Sequence, residues 1–284
     1  MIISFVFGFM SYNKSMNWND FKRERIYGGD INDAWKISDG KSNYFLKTHK
    51  KDARWFYAEA HGLEAIQNTH TISTPKIIDV SDTYLCLEYI EQGRKSSSYW
   101  QELGQGLAHM HLSDTSSIVC GYGFYEDNFI GYTKQINLSQ ESWISFFRDC
   151  RLKPQFEKAK AYISEQEMNR VFDVLDDILI EPEFPSLVHG DLWAGNQIVD
   201  SLGHPVLIDP ACYVGHFEVD LAMTELFGGF PSSFYEAYNS INPIDKGYTQ
   251  RKKVYNLYHL LNHLNCFGLS YLSSVRQMID EIVR

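Results

Sequence analysis

The chain has no CxxC pair, and its five cysteines, Cys86, Cys120, Cys150, Cys212 and Cys266, are odd in number and scattered. That argues against a zinc ribbon or a disulfide framework, so a reducing cytoplasm is the expected compartment. It also lacks any apolar run of transmembrane length. Residues 2–10 are apolar but short, with no Lys or Arg before them and no small-residue cleavage site, so they read as neither span nor signal peptide. Residues 1–15 are expected to be an extension, with Met16 as the true initiator. Positive charge is scarce. A formal net charge of −10 argues against a nucleic-acid partner or a polybasic membrane anchor. No internal repeat or low-complexity tract is visible. Apolar residues are plentiful, at 44% with 15% aromatic, enough for a sizeable core. At 284 residues the chain suits one large domain or two lobes.

The most informative stretch runs from His189 to Asn196, His-Gly-Asp-Leu-Trp-Ala-Gly-Asn, followed by Val206-Leu207-Ile208-Asp209. Its spacing fits a phosphoryl-transfer centre. Asp191 precedes Asn196 by five residues, and Asp209 follows thirteen later. In that chemistry an Asp accepts the proton of the substrate hydroxyl, and an Asn and a later Asp hold Mg²⁺ on the nucleotide phosphates. Residues 197–199 and 206–208 are short, β-prone runs around a turn-rich stretch at 200–205, which predicts a hairpin. The open end of such a hairpin brings Asn196 and Asp209 together, offering oxygens to one hard cation.

Upstream, Gly28-Gly29 lies between two expected strands, where backbone N–H groups can approach phosphates. Lys47 ends a further apolar strand. A helix is expected from about 52 to 68, with Trp55, Glu59, Leu63 and Ile66 on one face. A carboxylate within an apolar stripe calls for a partner, and Lys47 is the obvious one. Glu64 projects to the polar side and is the rival. Residues 84–90 form another strand, and the Gly/Ser-containing stretch 91–98 is the expected linker between a β-rich lobe (16–91) and a larger helical lobe (92–284). By position alone, the backbone at Glu88, Tyr89 and Ile90 would bond an adenine.

In the second lobe, residues 100–111 and 143–152 read as core helices. Ser164 and Glu167 form a capping box for a third, with Ile163 and Met168 placed as a hydrophobic staple. Its expected buried stripe is Met168, Val171, Leu175 and Ile178. His259, His263 and Cys266 share a face of an expected helix at 252–265 and are better suited to packing or a pocket lining than to zinc.

These residues carry a resemblance. Residues 187–196, 208–223 and 226–230, together with 120–124, 127–131 and 258–268, resemble the fructosamine/ketosamine-3-kinase family within the aminoglycoside-phosphotransferase-like kinases, over roughly residues 16–280. The resemblance implies an α+β, bilobal protein-kinase-like fold. It implies ATP- and Mg²⁺-dependent phosphorylation of the 3-hydroxyl of ketosamines, on small amines or proteins, which labilises the adduct and repairs the amine. By position Asp191 takes the base role, Asn196 and Asp209 the metal roles, and Lys47 with Glu59 the nucleotide pair. Trp193, His216, Glu218 and Asp220 fall to the sugar and amine pocket, with support of the catalytic loop as the alternative, most of all for Glu218 and Asp220. The chain departs from many members in having no cysteine in its glycine-rich segment, so a redox switch there is not expected, and Asp30 is expected to point outward. A monomer or weak dimer is expected. The rivals are another small-molecule kinase of the same fold and a non-catalytic nucleotide-binding protein.

Overall fold

The computed structural model describes residues 18–26, 33–48 and 54–284; Gly28, Gly29, Asp30 and the 1–15 extension lie outside them. The chain divides into two compact units, 1–57 with 76–89 and 58–75 with 90–284. Residues 58–75, expected from the sequence in the first lobe, therefore group with the second unit.

The first unit holds strands β1 (Lys22–Ile26), β2 (Asp33–Ser38), β3 (Asn43–Thr48), β4 (Ile77–Ser81) and β5 (Tyr84–Glu88). They form one antiparallel sheet in the order β1-β2-β3-β5-β4. Strand β4 escapes a periodicity reading because a register shift between Ile77 and Asp79 interrupts it. Asp79 is buried, and its carboxylate accepts the Tyr84 hydroxyl at 2.6 Å. Trp18, Ile37, Leu46 and Cys86 form the small core, with Phe21, Tyr44 and Tyr84 edge-on to the Trp18 ring at 5.2, 6.1 and 5.9 Å. Lys47 sits on the central strand, opposite Ala34 and Leu85, and is only 5% exposed. Helix α1 (Arg54–Thr69) begins in the first unit and ends in the second. Glu59 is buried on it and Glu64 is half-buried, matching the expected face.

The second unit continues with α2 (Tyr99–His111), the hairpin β6 (Asn128–Ile130) and β7 (Thr133–Gln135), and α3 (Trp143–Phe146). A π-helical stretch, Phe147–Leu152, then leads into α4 (Lys153–Lys158). The single helix expected over 143–152 is thus broken by a wider turn. The stretch carries the buried Arg151, whose guanidinium stacks on Tyr213 at 3.9 Å and donates to Asn137 Oδ1 at 2.7 Å. The capping box of Ser164 and Glu167 opens α5 (Glu165–Phe172). That helix stops sooner than its stripe implied. The chain turns at Asp173 and Val174, and α6 (Leu175–Ile178) carries the last two apolar positions. Apolar periodicity runs through the break because both pieces face one core.

Two short pairings follow: β8 (Ser186–Val188), β9 (Gln197–Val199), β10 (Pro205–Leu207) and β11 (Tyr213–Gly215), with β9 against β10 and β8 against β11. Helices α7 (Glu218–Leu226), α8 (Ser232–Asn239), α9 (Tyr248–Phe267) and α10 (Leu272–Ile282) complete the unit. No helix among the described residues is long and apolar enough to cross a membrane.

Helices α2 and α8 pack closely because α2 has no side chain at Gly104. A Cβ there would meet the Phe234 carbonyl oxygen at 2.4 Å and the Tyr238 nitrogen at 3.1 Å, both backbone atoms of α8. Gly104→Ala gains about 1 kcal/mol of helix propensity but forces the helices apart at a cost of about 1–3 kcal/mol. The variant should lower Tm in a thermal melt. An unchanged or raised Tm would show that α8 yields freely.

Candidate active site

The loop between β8 and β9 is shaped by its own polar groups. The amide of Asn196 donates to the Trp193 carbonyl at 3.0 Å, and that of Trp193 to the Asp191 carbonyl at 3.2 Å, closing two consecutive turns. The Asn196 side chain then reaches back. Its Nδ2 donates to the Asp191 carbonyl at 2.8 Å and to Asp191 Oδ2 at 3.0 Å. The carbonyl is an acceptor only, so the nitrogen must lie on that side, and Oδ1 is the group left to face a ligand. The β9–β10 hairpin forms as expected, one residue earlier on its second strand. Asp200 builds its tip by accepting the amides of Leu202 at 2.9 Å and His204 at 2.8 Å. At the open end Ile208 donates to the Asn196 carbonyl at 3.1 Å, which sets Asp209 one residue past the metal candidate Asn196.

Asp209 is exposed and adopts φ +55°, a left-handed conformation that L-residues avoid. Such strain costs about 1–3 kcal/mol and persists only where the surroundings impose it. Here they do. Past Asp209 the chain folds back on the catalytic loop, where the Ala211 amide donates to the His189 carbonyl at 2.8 Å. The crossing is so close that a Cβ on Gly190 would lie 2.2 Å from the Ala211 carbonyl oxygen, and Gly190 itself has φ +80°. Only glycine serves between His189 and Asp191. The strand after the crossing is tied down by Asn128, which donates to the Cys212 carbonyl at 2.7 Å, and by Gln135, which donates to the Ala211 carbonyl at 3.1 Å.

His189 is buried and has one consistent protonation. Its Nδ1 accepts the Asp191 amide at 3.3 Å and its Nε2 donates to the Ile208 carbonyl at 3.0 Å. Burial pushes its pKa down, so the ring is neutral. It thereby ties the turn that carries Asp191 to the hairpin strand before Asp209. Asp191 is half-buried. Loss of solvent pushes its pKa up to about 7; the Asn196 hydrogen bond opposes the rise, and the charges of Asp209 and Asp220 add to it.

The four residues expected in the substrate pocket separate. Trp193 is 41% exposed, and its ring folds over Gly195, where a Cβ would lie 2.3 Å from it. The other three are buried, which favours the alternative of structural support. Asp220 is fully buried, and its two oxygens accept the amides of His189 at 2.7 Å and Gly190 at 2.9 Å. It supports the catalytic loop. Glu218 is fully buried in a two-point ion pair with Arg251, at 2.7 and 2.6 Å. Burial raises the Glu218 pKa and the guanidinium opposes that rise. His216 is buried beside Trp143 and Phe217, its Nδ1 accepting the Glu218 amide at 3.3 Å. Burial takes its pKa down to about 3. His263 likewise belongs to packing, donating to the His259 carbonyl at 2.8 Å among the rings of Phe227, Phe267 and Tyr271. No group of three His, Cys, Asp or Glu suited to a metal occurs among the described residues. Lys47 lies in the first unit and Glu59 in the second, and Gly28 and Gly29 lie outside the described residues.

The model of the fructosamine kinase family matches residues 9–284. The chain belongs to the fructosamine kinase family. The match begins inside the 1–15 extension, so residues 9–15 do have a family counterpart. A probable ketoamine kinase of Synechocystis is 41% identical over 279 residues, covering 93% of this chain and 90% of the relative. A chloroplastic protein-ribulosamine 3-kinase of Arabidopsis thaliana is 37% identical over 273 residues, 91% of this chain and 82% of the relative. The crystal structure of a Haemophilus somnus protein assigned as a fructosamine-3-kinase matches with TM-score 0.83 at 30% identity, covering 93% of this chain and 92% of that one. The fold is the α+β kinase-like one, and the family is one of phosphotransferases acting on hydroxyl groups.

Sequence reasoning missed Arg251 and His111, and it left the role of Asp220 open between the pocket and loop support. Each acts across 30 residues or more, and only the burial of Asp220 and Glu218 reveals them. Glu218→Gln leaves Arg251 buried without its counter-charge and should cost about 3–5 kcal/mol of stability in denaturant unfolding. Unchanged stability with a raised KM for the acceptor would return Glu218 to the substrate pocket.

Proposed function

We propose that the protein uses ATP to phosphorylate the 3-hydroxyl of ketosamines, fructosamine or ribulosamine adducts of amines or proteins, as a deglycation repair enzyme. The observation that carries this reading is the joining of Asp191, Asn196 and Asp209 at one end of a hairpin through the Asn196–Asp191 and Ile208–Asn196 bonds. It is supported by membership of the fructosamine kinase family and by the likeness to the ribulosamine 3-kinase.

Asp191 accepts the proton of the acceptor hydroxyl. One of its oxygens is held by Asn196, which turns the other toward the acceptor. A pKa near 7 gives it proton affinity close to working pH, the condition that favours a general base. Asn196 Oδ1 and the Asp209 carboxylate fit a divalent cation: the first is a neutral oxygen whose amide nitrogen is already bonded, the second an exposed oxygen pair in an enforced turn. When bound there, Mg²⁺ supplies charge neutralisation on the transferring phosphoryl group. Lys47, with Glu59 as its ion-pair partner, is assigned to the nucleotide's α- and β-phosphates, and Gly28 and Gly29 to the same phosphates. The backbone at Glu88, Tyr89 and Ile90 bonds the adenine. Trp193, the one pocket candidate presented to solvent, gives the sugar an apolar face to lie on. The net charge of −10 favours cationic amines such as glycated lysine. Five unpaired cysteines suit a cytoplasmic setting, and a monomer or weak dimer is sufficient for this chemistry.

ATP consumption with ribulosyl-lysine and fructosyl-lysine is the direct test. The native protein should turn over at least one of them, and chelation of Mg²⁺ should stop it. Asp191→Asn should lower kcat by about 10²–10⁴-fold while ATP still raises Tm. Turnover in Asp191→Asn equal to native would remove Asp191 from the base role. No turnover on either sugar, with ATP still bound, would move the acceptor to another small-molecule hydroxyl.

A further inference from the structure

Asp220 holds the catalytic loop, and it is itself held. Its Oδ2 takes His111 Nε2 at 3.1 Å in addition to the His189 amide. On the other side of the ring, His111 Nδ1 lies 2.8 Å from the Tyr238 hydroxyl, and Asn242 Nδ2 donates to that hydroxyl at 2.9 Å. His111 and Tyr238 are fully buried, and Asn242 is nearly so.

Proton counting assigns the direction of each bond. Burial pushes the Tyr238 pKa well up, so the phenol keeps its proton. Asn242 already donates to that oxygen, so the phenol proton has His111 Nδ1 as its acceptor. Nδ1 is then the unprotonated nitrogen, and Nε2 carries the hydrogen that Asp220 accepts. With the opposite tautomer, the Nε2 lone pair would face a carboxylate in a buried site, and two acceptors would repel. With the hydrogen on Nε2, every bond in the chain Asn242 to Tyr238 to His111 to Asp220 to the loop amides is made.

We propose that His111, Tyr238 and Asn242 are positioning residues for phosphoryl transfer. Their relay orients Asp220 so that both its oxygens clamp the His189-Gly190 backbone and fix the carboxylate of Asp191 one residue on. None of the three touches a reacting atom. They reach the centre from α2, from α8 and from just beyond α8. The catalytic part of this proposal rests on the role given to Asp191 above; the clamping part does not.

The test combines kinetics with hydrogen exchange on Tyr238→Phe, His111→Leu and His111→Gln. One lost hydrogen bond to an oriented group is worth about tenfold in rate. Tyr238→Phe should lower kcat about tenfold with the KM for ATP nearly constant, and His111→Leu should lower it further. His111→Gln keeps a side-chain N–H for Asp220 and should recover most of the loss. Exchange of the His189 and Gly190 amides should quicken about tenfold in Tyr238→Phe and His111→Leu, while amides inside α2 and α8 keep their protection. A merely structural role would loosen α2 and α8 together with the loop, and Gln would rescue no better than Leu. That outcome, or native kcat and native loop exchange in both Tyr238→Phe and His111→Leu, overturns the proposal. Should the protein turn over no ketosamine at all, the exchange measurement still decides whether the clamp depends on the relay.

Discussion

A carboxylate removed from water is expensive to keep charged unless its oxygens are fully bonded. Asp220 meets that demand with two consecutive backbone amides and a histidine. Those amides belong to His189 and Gly190, so satisfying Asp220 also fixes the peptide planes that lead into Asp191. Had the loop found its partners in solvent, it would be free to rotate. Because the partner is one rigid group at the start of α7, the loop inherits the rigidity of the helical core.

The rest of the site follows from crowding against that anchor. Gly190 lets the chain after Asp209 pass within contact of the loop, and the passage holds Asp209 in its left-handed turn. His189 joins the turn that carries Asp191 to the strand ahead of Asp209. Asn196 spends its amide nitrogen on Asp191 and keeps its oxygen for a ligand. Asp191 and Asp209 end close enough that each charge opposes the other, which contributes to the raised pKa of Asp191. That negative field suits a divalent cation.

Residues of the family-like segments play opposite parts depending on burial. Trp193 and Glu218 both stand in segments that resemble the family pattern, yet one offers a ring to solvent and the other is locked to Arg251. A motif shows that a residue matters without showing to whom it points. Helix α5 carries a related lesson. Its apolar period continues past Phe172 although the helix does not, because period reports the side facing the core and not the continuity of the backbone.

Local chemistry was legible along the chain because it depends on neighbours a few residues apart. The β9–β10 hairpin, the capping box at Ser164 and Glu167, the buried face of α1 and the spacing of Asp191, Asn196 and Asp209 are all of that kind. The tertiary structure alone decided what Asp220, Glu218 and His216 do, which partner sits opposite each, and why Gly190 and Gly104 tolerate no side chain. Apart from the His216–Glu218 bond, those facts depend on groups 21 to more than 100 residues apart coming into contact. Hydrogen bonds and steric contacts act over a few ångströms of space, and separation along the chain carries almost no information about that distance once it is folded.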